Sequence, residues 1–263
     1  MNPALPSIFI LLLGQVAGQN ETFQKEAEPP LNCSNNDRAR QGDKVIMEYI
    51  GLLSNGTQFD SGQSEFVIGE KNVIPGLEQG MEGGCAGEKI NIIVPPEYGY
   101  GDSPSDKVPP GSTLYFLTSL NGIVRTIKPA SGGSCNEGQK ARPNIDVTMD
   151  IEGRVIQPDG KGNVFIDTPS LEIRFGNPKA IRFVRGLESG LTGACVDEER
   201  TLLLGPNLAY GEQGKSDGKV KGGESVKIDV RIVRVRDKKP EDQGLVLAFL
   251  DTIADGNLKG FSG

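Results

Sequence analysis

Few residues in this chain could do chemistry, and their spacing already restricts what that chemistry could be. There is no histidine and no tryptophan among the 263 residues. The four cysteines, Cys33, Cys85, Cys135 and Cys195, never form a C-x-x-C pair, so neither a thiol redox motif nor a zinc motif is present. Asp60 stands between Phe59 and Ser61 beside an apolar segment, where an unpaired carboxylate would be costly. Taken alone it reads as a turn acid. Glu97-Tyr98-Gly99-Tyr100-Gly101 is a glycine-punctuated loop carrying two tyrosines. These residue types suit a lined pocket that binds, rather than a nucleophile or a metal centre.

The elements that must position them lie in residues 73 to 101, VIPGLEQGMEGGCAGEKINIIVPPEYGYG. The stretch recurs without a gap at 183 to 211, FVRGLESGLTGACVDEERTLLLGPNLAYG. A repeat of this size dictates the architecture. In the first copy Pro75 suits the first position of a helix. Leu77 and Met81, at i and i+4, give it one apolar side, and Gly83-Gly84 ends it. Ile90, Ile92 and Val94 alternate with Lys89, Asn91 and Ile93, which predicts a strand stopped by Pro95-Pro96. Upstream, 44 to 53 predicts a strand with Val45, Met47 and Tyr49 on one face. Asn55-Gly56 turns the chain, Phe66-Val67-Ile68 is a short strand, and 113 to 120 is the last one. This is an α+β unit with an antiparallel sheet and one short helix.

With these residues in place, the chain resembles the FKBP-type peptidyl-prolyl cis-trans isomerases. GDKVIMEYIGLLSNGTQFDSG (42 to 62) is similar to the family's first hairpin and VPPGSTLYF (108 to 116) to its last strand, strongly over 42 to 124 and more weakly over 144 to 236. The resemblance implies two tandem domains, each an antiparallel sheet wrapped around a short helix with a ligand pocket between them. It implies Tyr49, Phe59, Asp60, Ile74 and Tyr100 as catalytic residues, and Val73, Leu77, Val108 and Phe116 as substrate-binding ones. Without it, Tyr49, Phe59, Val73, Leu77 and Phe116 fit an ordinary core. The sequence departs from the family in three places: a shortened loop after Ser61, Leu77 where many members carry tryptophan, and a shortened loop at 102 to 107. These bear on macrolide affinity and substrate preference more than on the reaction. No cofactor and no metal are implied.

The length fits two domains, organised as 30–126, a linker at 127–134, a second copy at 135–236 and a tail at 237–263. The 36 glycines and 17 prolines suit a turn-rich β protein rather than a low-complexity chain. A net charge of −7 and no basic patch argue against nucleic-acid binding. Residues 1–19, with the core Ile8-Phe9-Ile10-Leu11-Leu12-Leu13, read as a secretory signal peptide, and no later run is long enough for a membrane span. Four cysteines allow three pairings. The repeat selects Cys33–Cys85 and Cys135–Cys195, because each copy then closes on itself, and secretory members of the family are expected to carry such bridges. Sequons place candidate N-glycans on Asn20, Asn32 and Asn55.

The second copy replaces Tyr49 by Ile151 and Phe116 by Ile228. Aligning Phe59 with Ile166 leaves Asp167 to keep the acid, while Leu187 and Tyr210 remain. This copy reads as degenerate. In the tail, Asp251, Asp255 and Gly256 fit part of an EF-hand frame, but Ile253 and Ser262 break it, and the end is not a KDEL-type signal. The expectation is a prolyl isomerase, active in the first domain only. It would act on proline-containing unfolded or nascent secretory proteins in the endoplasmic reticulum lumen or after secretion, and take macrolides as further ligands. The alternative is a non-catalytic peptide-binding chaperone or extracellular binding module on the same folds.

Overall fold

The computed structural model describes residues 22–28, 30–103, 106–130, 135–177 and 182–237. The expected leader at 1–19, Asn20, linker residues 131–134 and the tail from 238, with its partial EF-hand frame, lie outside these residues. The first repeat contains β1 (Gln24–Ala27), β2 (Lys44–Leu53), β3 (Gln58–Val67), α1 (Pro75–Met81), β4 (Lys89–Val94) and β5 (Leu114–Lys128). The second contains β6 (Asp146–Val155), β7 (Val164–Arg174), α2 (Arg182–Leu191), β8 (Glu199–Leu204) and β9 (Val226–Arg236). None of the described helices is long and apolar enough to cross a membrane.

Each repeat buries one face of its sheet against its helix. In β2, Val45 and Met47 are fully buried beside the half-buried Tyr49, as the alternation requires. α1 starts at Pro75 and buries Leu77 and Met81. Gly76 and Gly80, also on its buried face, let the helix backbone lie against Val94 and Ile92 of β4, which an added Cβ would strike. The expected short strand at 66 to 68 is instead the end of one continuous ten-residue β3, paired with β2 from Lys44↔Val67 to Leu52↔Gln58. Both predicted bridges are formed, Cys33–Cys85 and Cys135–Cys195, each with Cα atoms 6.0 Å apart.

Among the described residues, the two repeats share one nine-stranded sheet. β5 does not stop at Leu120 as the sequence predicts; it continues through Lys128, so Ile127 and Lys128 of the expected linker are strand. Its first half pairs with β4 and its second half with β8, both antiparallel. β1 holds the same place on β4 that the β5 tail holds on β8. Gln24 to Ala27 face Ile93 to Ile90, just as Ile123 to Thr126 face Leu203 to Arg200. The cores interleave as well. Ile46 and Val124 are buried in the second repeat's core, and Leu203 in the first's.

Side contacts tighten the joint. The Gly205 N–H donates to Asn121 O at 2.8 Å and the Ser225 hydroxyl to Ala86 O at 2.7 Å. Asn207 Nδ2 donates to Asn121 Oδ1 at 3.1 Å, and Lys227 pairs with Asp37 at 3.2 Å. The root of the β5 tail is pinned by Arg125. Its guanidinium forks onto buried Asp43 at 2.8 and 2.6 Å and donates to Asn36 O and Arg38 O.

Candidate active site

In the first repeat, β2, β3, α1 and β5 converge on one apolar basin. Phe59, Leu77, Val108 and Phe116 are buried, and Tyr49, Val73 and Ile74 pack half-buried against them. Phe59 meets Phe116 edge to face, with ring centroids 5.8 Å apart, and Tyr49 lies 6.3 Å from Phe116. The Phe59 ring lies over Gly51, where a Cβ would come within 2.6 Å of Cζ. That glycine is part of the wall, and sequence reasoning missed it; the alternation of β2, which points position 51 inward, could have signalled it.

Asp60 sits at the exposed rim of this basin. Its Oδ2 accepts from the Tyr49 hydroxyl at 2.7 Å and its Oδ1 from the Ser61 N–H at 2.9 Å. Burial, the hydrogen bond to Asp60 and the negative charge there push the Tyr49 phenol up to about 12. Tyr49 therefore remains a donor throughout the neutral range. The Ile74 N–H, at the entrance of α1, finds no acceptor among the described residues. Tyr100 is 42% exposed on its loop, and Tyr98, the other loop tyrosine, turns away to pack on Phe23, with centroids 5.7 Å apart. Charge on Tyr100 would add, as the smallest cause, to the upward push on the Tyr49 phenol. Among the described residues no group of histidine, cysteine, aspartate or glutamate could hold a metal ion.

The second repeat is arranged differently, and the register corrects the sequence alignment. Gly51 pairs with Asp60 in the first hairpin, and Gly153 pairs with Ile166 in the second. The counterpart of Asp60 is therefore Ile166, and that of Phe59 is Phe165, whose ring lies over Gly153 as Phe59 lies over Gly51. The acid is lost, and Asp167 falls one residue further on, opposite Glu152. One aromatic wall is kept, Phe165 for Phe59, while Phe116 is matched by Ile228. Phe183 stands in the place of Val73, stacked on Tyr210 at 5.0 Å and 14°, and Phe165 closes edge-on to both at 6.0 and 5.7 Å. Burial pushes the Tyr210 phenol strongly up. Phe183 and Tyr210 also border a cavity of about 560 Å³, together with Arg185 and Glu212.

Of the candidate glycan sites, Asn32 and Asn55 are both exposed. Asn55 Oδ1 accepts from the Thr57 N–H at 2.9 Å in the hairpin turn.

Comparison with known proteins finds one family at two places along the chain. The family described as FKBP-type peptidyl-prolyl cis-trans isomerase matches residues 35–121 and again 137–233. The chain is 31% identical to peptidyl-prolyl cis-trans isomerase FKBP10 of Mus musculus, over 90% of this chain and 42% of that protein. It is 30% identical to peptidyl-prolyl cis-trans isomerase FKBP9 of Bos taurus, over 81% of this chain and 38% of that one. FK506-binding protein 2 of Yarrowia lipolytica is 37% identical over 131 residues, 44% of this chain and 90% of its own. The chain thus spans about two-fifths of the length of its longer relatives. Its two matched segments make it a member of the FKBP-type peptidyl-prolyl cis-trans isomerase family.

Proposed function

We propose that the first repeat is a prolyl isomerase and that the second, with Ile151 and Ile166 where the first has Tyr49 and Asp60, is non-catalytic. The observation that carries this reading is the Tyr49–Asp60 hydrogen bond, 2.7 Å, at the rim of an apolar basin walled by Phe59, Leu77 and Phe116. An X-Pro amide turns slowly because resonance sets a barrier of about 18–20 kcal/mol. No bond is made or broken, so no nucleophile is needed. The twisted amide has lost resonance and carries a less polar carbonyl. A dry apolar basin therefore favours it over the planar, hydrated ground state. The Ile74 N–H and the Tyr100 hydroxyl orient the peptide carbonyls, Val73 and Val108 narrow the entrance, and Asp60 fixes Tyr49 and acts on the turning carbonyl through its charge. A macrolide of the kind the family binds would occupy these same walls.

Clients on this reading are proline-containing unfolded or nascent proteins of the secretory pathway. The apolar run 8 to 13 and the two bridges, one closed within each repeat, support an oxidising compartment, the endoplasmic reticulum lumen or the exterior. The organisation that fits is a leader at 1–19, an isomerase domain at 30–126, a non-catalytic domain reaching 236 and a tail beyond.

The test is a protease-free isomerase assay on the oxidised protein beside Asp60→Ala and Phe59→Leu. A fall of about tenfold or more in both, with folding retained, is expected. Unchanged turnover in both removes the site. A folded protein with no activity leaves the alternative, a peptide-holding module, which the cavity of about 560 Å³ beside Phe183 and Tyr210 favours.

A further inference from the structure

β3 is the one strand of the first repeat whose outer edge opens beside the candidate site. It pairs with β2 alone among the described residues. It runs ten residues without proline or lysine, so it lacks two of the usual protections of a sheet edge. The ladder shows which backbone groups face outward. The Ile68 N–H donates to Asp43 O at 3.0 Å, which places Ile68 in the set bonded to the neighbouring chain. Antiparallel pairs alternate, so Phe66, Ser64 and Gly62 also point to β2, while Glu65, Gln63 and Ser61 turn their amides and carbonyls away from it. The Ser61 N–H agrees, since it donates to the Asp60 carboxylate rather than across the ladder. One end of this edge is therefore Asp60, at the rim of the basin.

The other end opens on a cleft of about 730 Å³ between the repeats, bordered by Glu48, Gln63, Ser64 and Glu65 on one side and by Arg185 and Ser189 of α2 on the other. Its charges are unequal in their partners. Glu65 is paired with Lys44 at 2.9 Å, and Glu48 accepts from Gln63 Nε2 at 2.8 Å. Arg185 is exposed and has no carboxylate partner among the described residues.

We infer that an extended segment of the client, flanking the proline held in the basin, adds as a strand to the free edge of β3 and brings an acidic side chain to Arg185. The inference rests on the isomerase reading for the position of the proline. Main-chain bonds to Gln63 and Glu65 give affinity without reading sequence, as strand addition does elsewhere. The one sequence preference comes from Arg185. From Asp60 to Glu65 is five residues, about 17 Å of strand, so the acid falls about five residues from the proline.

Three fluorescent peptides test this against the full chain: a four-residue proline peptide, and two that add a six-residue extension with a glutamate about five residues from the proline. The extension is placed on either side of the proline in turn. Two variants are compared. Arg185→Glu reverses the charge at an exposed position. Gln63→Pro removes an outward N–H that the ladder to β2 does not use. Each variant should weaken binding of one extended peptide by about tenfold or more and leave turnover of the short peptide unchanged. Replacing the glutamate by lysine should reproduce the Arg185→Glu loss in the native protein. Equal affinity of native protein and both variants for both extended peptides overturns the inference. Absence of turnover in the native protein removes the isomerase reading instead, and the binding measurement still decides the strand addition.

Discussion

Replacing Gly205 by alanine should loosen the joint between the repeats while leaving each repeat intact. Gly205 has φ −69°, an ordinary value for any residue, so alanine meets no strain in its own backbone. The obstacle lies wholly across the joint. An ideal Cβ there falls 2.6 Å from both Cα and N of Gly87 and 3.1 Å from Asn121 O. All three atoms are backbone and cannot rotate aside. Van der Waals contact requires the joint to open by about 0.8 Å. Overpacking of this kind costs about 1–3 kcal/mol. The opening also stretches the 2.8 Å bond from Gly205 N–H to Asn121 O and the 2.7 Å bond from Ser225 to Ala86 O, each worth about 1 kcal/mol. The expected loss is about 2–4 kcal/mol. Urea unfolding of the oxidised chain should show one transition in the native protein, because the cores interleave at Ile46, Val124 and Leu203. In Gly205→Ala the midpoint should fall, or the transition should split in two. Gly138→Ala is the control, since its added Cβ meets nothing within 4 Å and should stay within about 0.5 kcal/mol. A Gly205→Ala protein with the midpoint and slope of the control would refute the close joint.

Three further outcomes follow from contacts described above. Gly51→Ala forces the Phe59 ring off its seat and should lower prolyl turnover by about tenfold or more, read in the isomerase assay, with a stability loss of about 1–3 kcal/mol; unchanged turnover would mean that the ring does not form the wall. Arg125→Met strands the buried Asp43 carboxylate and should cost about 3–5 kcal/mol in urea unfolding, whereas a cost under about 1 kcal/mol would show that the pair does not anchor the β5 tail. Tyr49 has a raised folded value, so its bond to Asp60 is fully present below the unfolded value near 10 and is lost as pH rises through about 12. Difference absorbance of tyrosinate between the native protein and Tyr49→Phe should place that titration near 12, and a titration near 10 would contradict the hydrogen bond to Asp60.

The sequence made some of this legible for simple reasons. The helix at Pro75–Met81 announced itself by proline at its start, an apolar i, i+4 pair and glycines past its end. The bridges followed from the repeat, since equivalent cysteines close equivalent loops. The tail of β5 was hidden because Asn121-Gly122 looks like a turn. In the folded chain Gly122 stays in the strand, and the space beside it is taken by Leu208 and Ile46 of the joint, a long-range demand with no local signature. The returning strand of the second hairpin was misaligned by one residue. Its loop is longer, and Phe165-Ile166-Asp167 offers an apolar residue before an acid just as Phe59-Asp60 does. Only pairing with β6 resolves which side chain faces inward, and a slip of one position reverses every face. The ring stack of the second repeat was likewise illegible, because Phe183 for Val73 reads as one apolar residue replacing another until its ring is found stacked on Tyr210.

The shared strand gives the molecule the mechanics of a lap joint. A tether between domains transmits tension and little torque, whereas here six residue pairs between β5 and β8 carry both. Bending one repeat against the other means shearing a hydrogen-bonded ladder, and twisting it means changing the pitch of a continuous sheet. The angle between the pockets is therefore written in strand register, not in linker length. Inserting a single residue between Leu120 and Ile123 would not lengthen a hinge. It would turn the faces of the tail over and present the second repeat in a different orientation. The same plan contains its own rule for growth: any further unit could lay its last strand where β1 now lies on β4, and the assembly would lengthen as a stiff rod with a fixed turn per step.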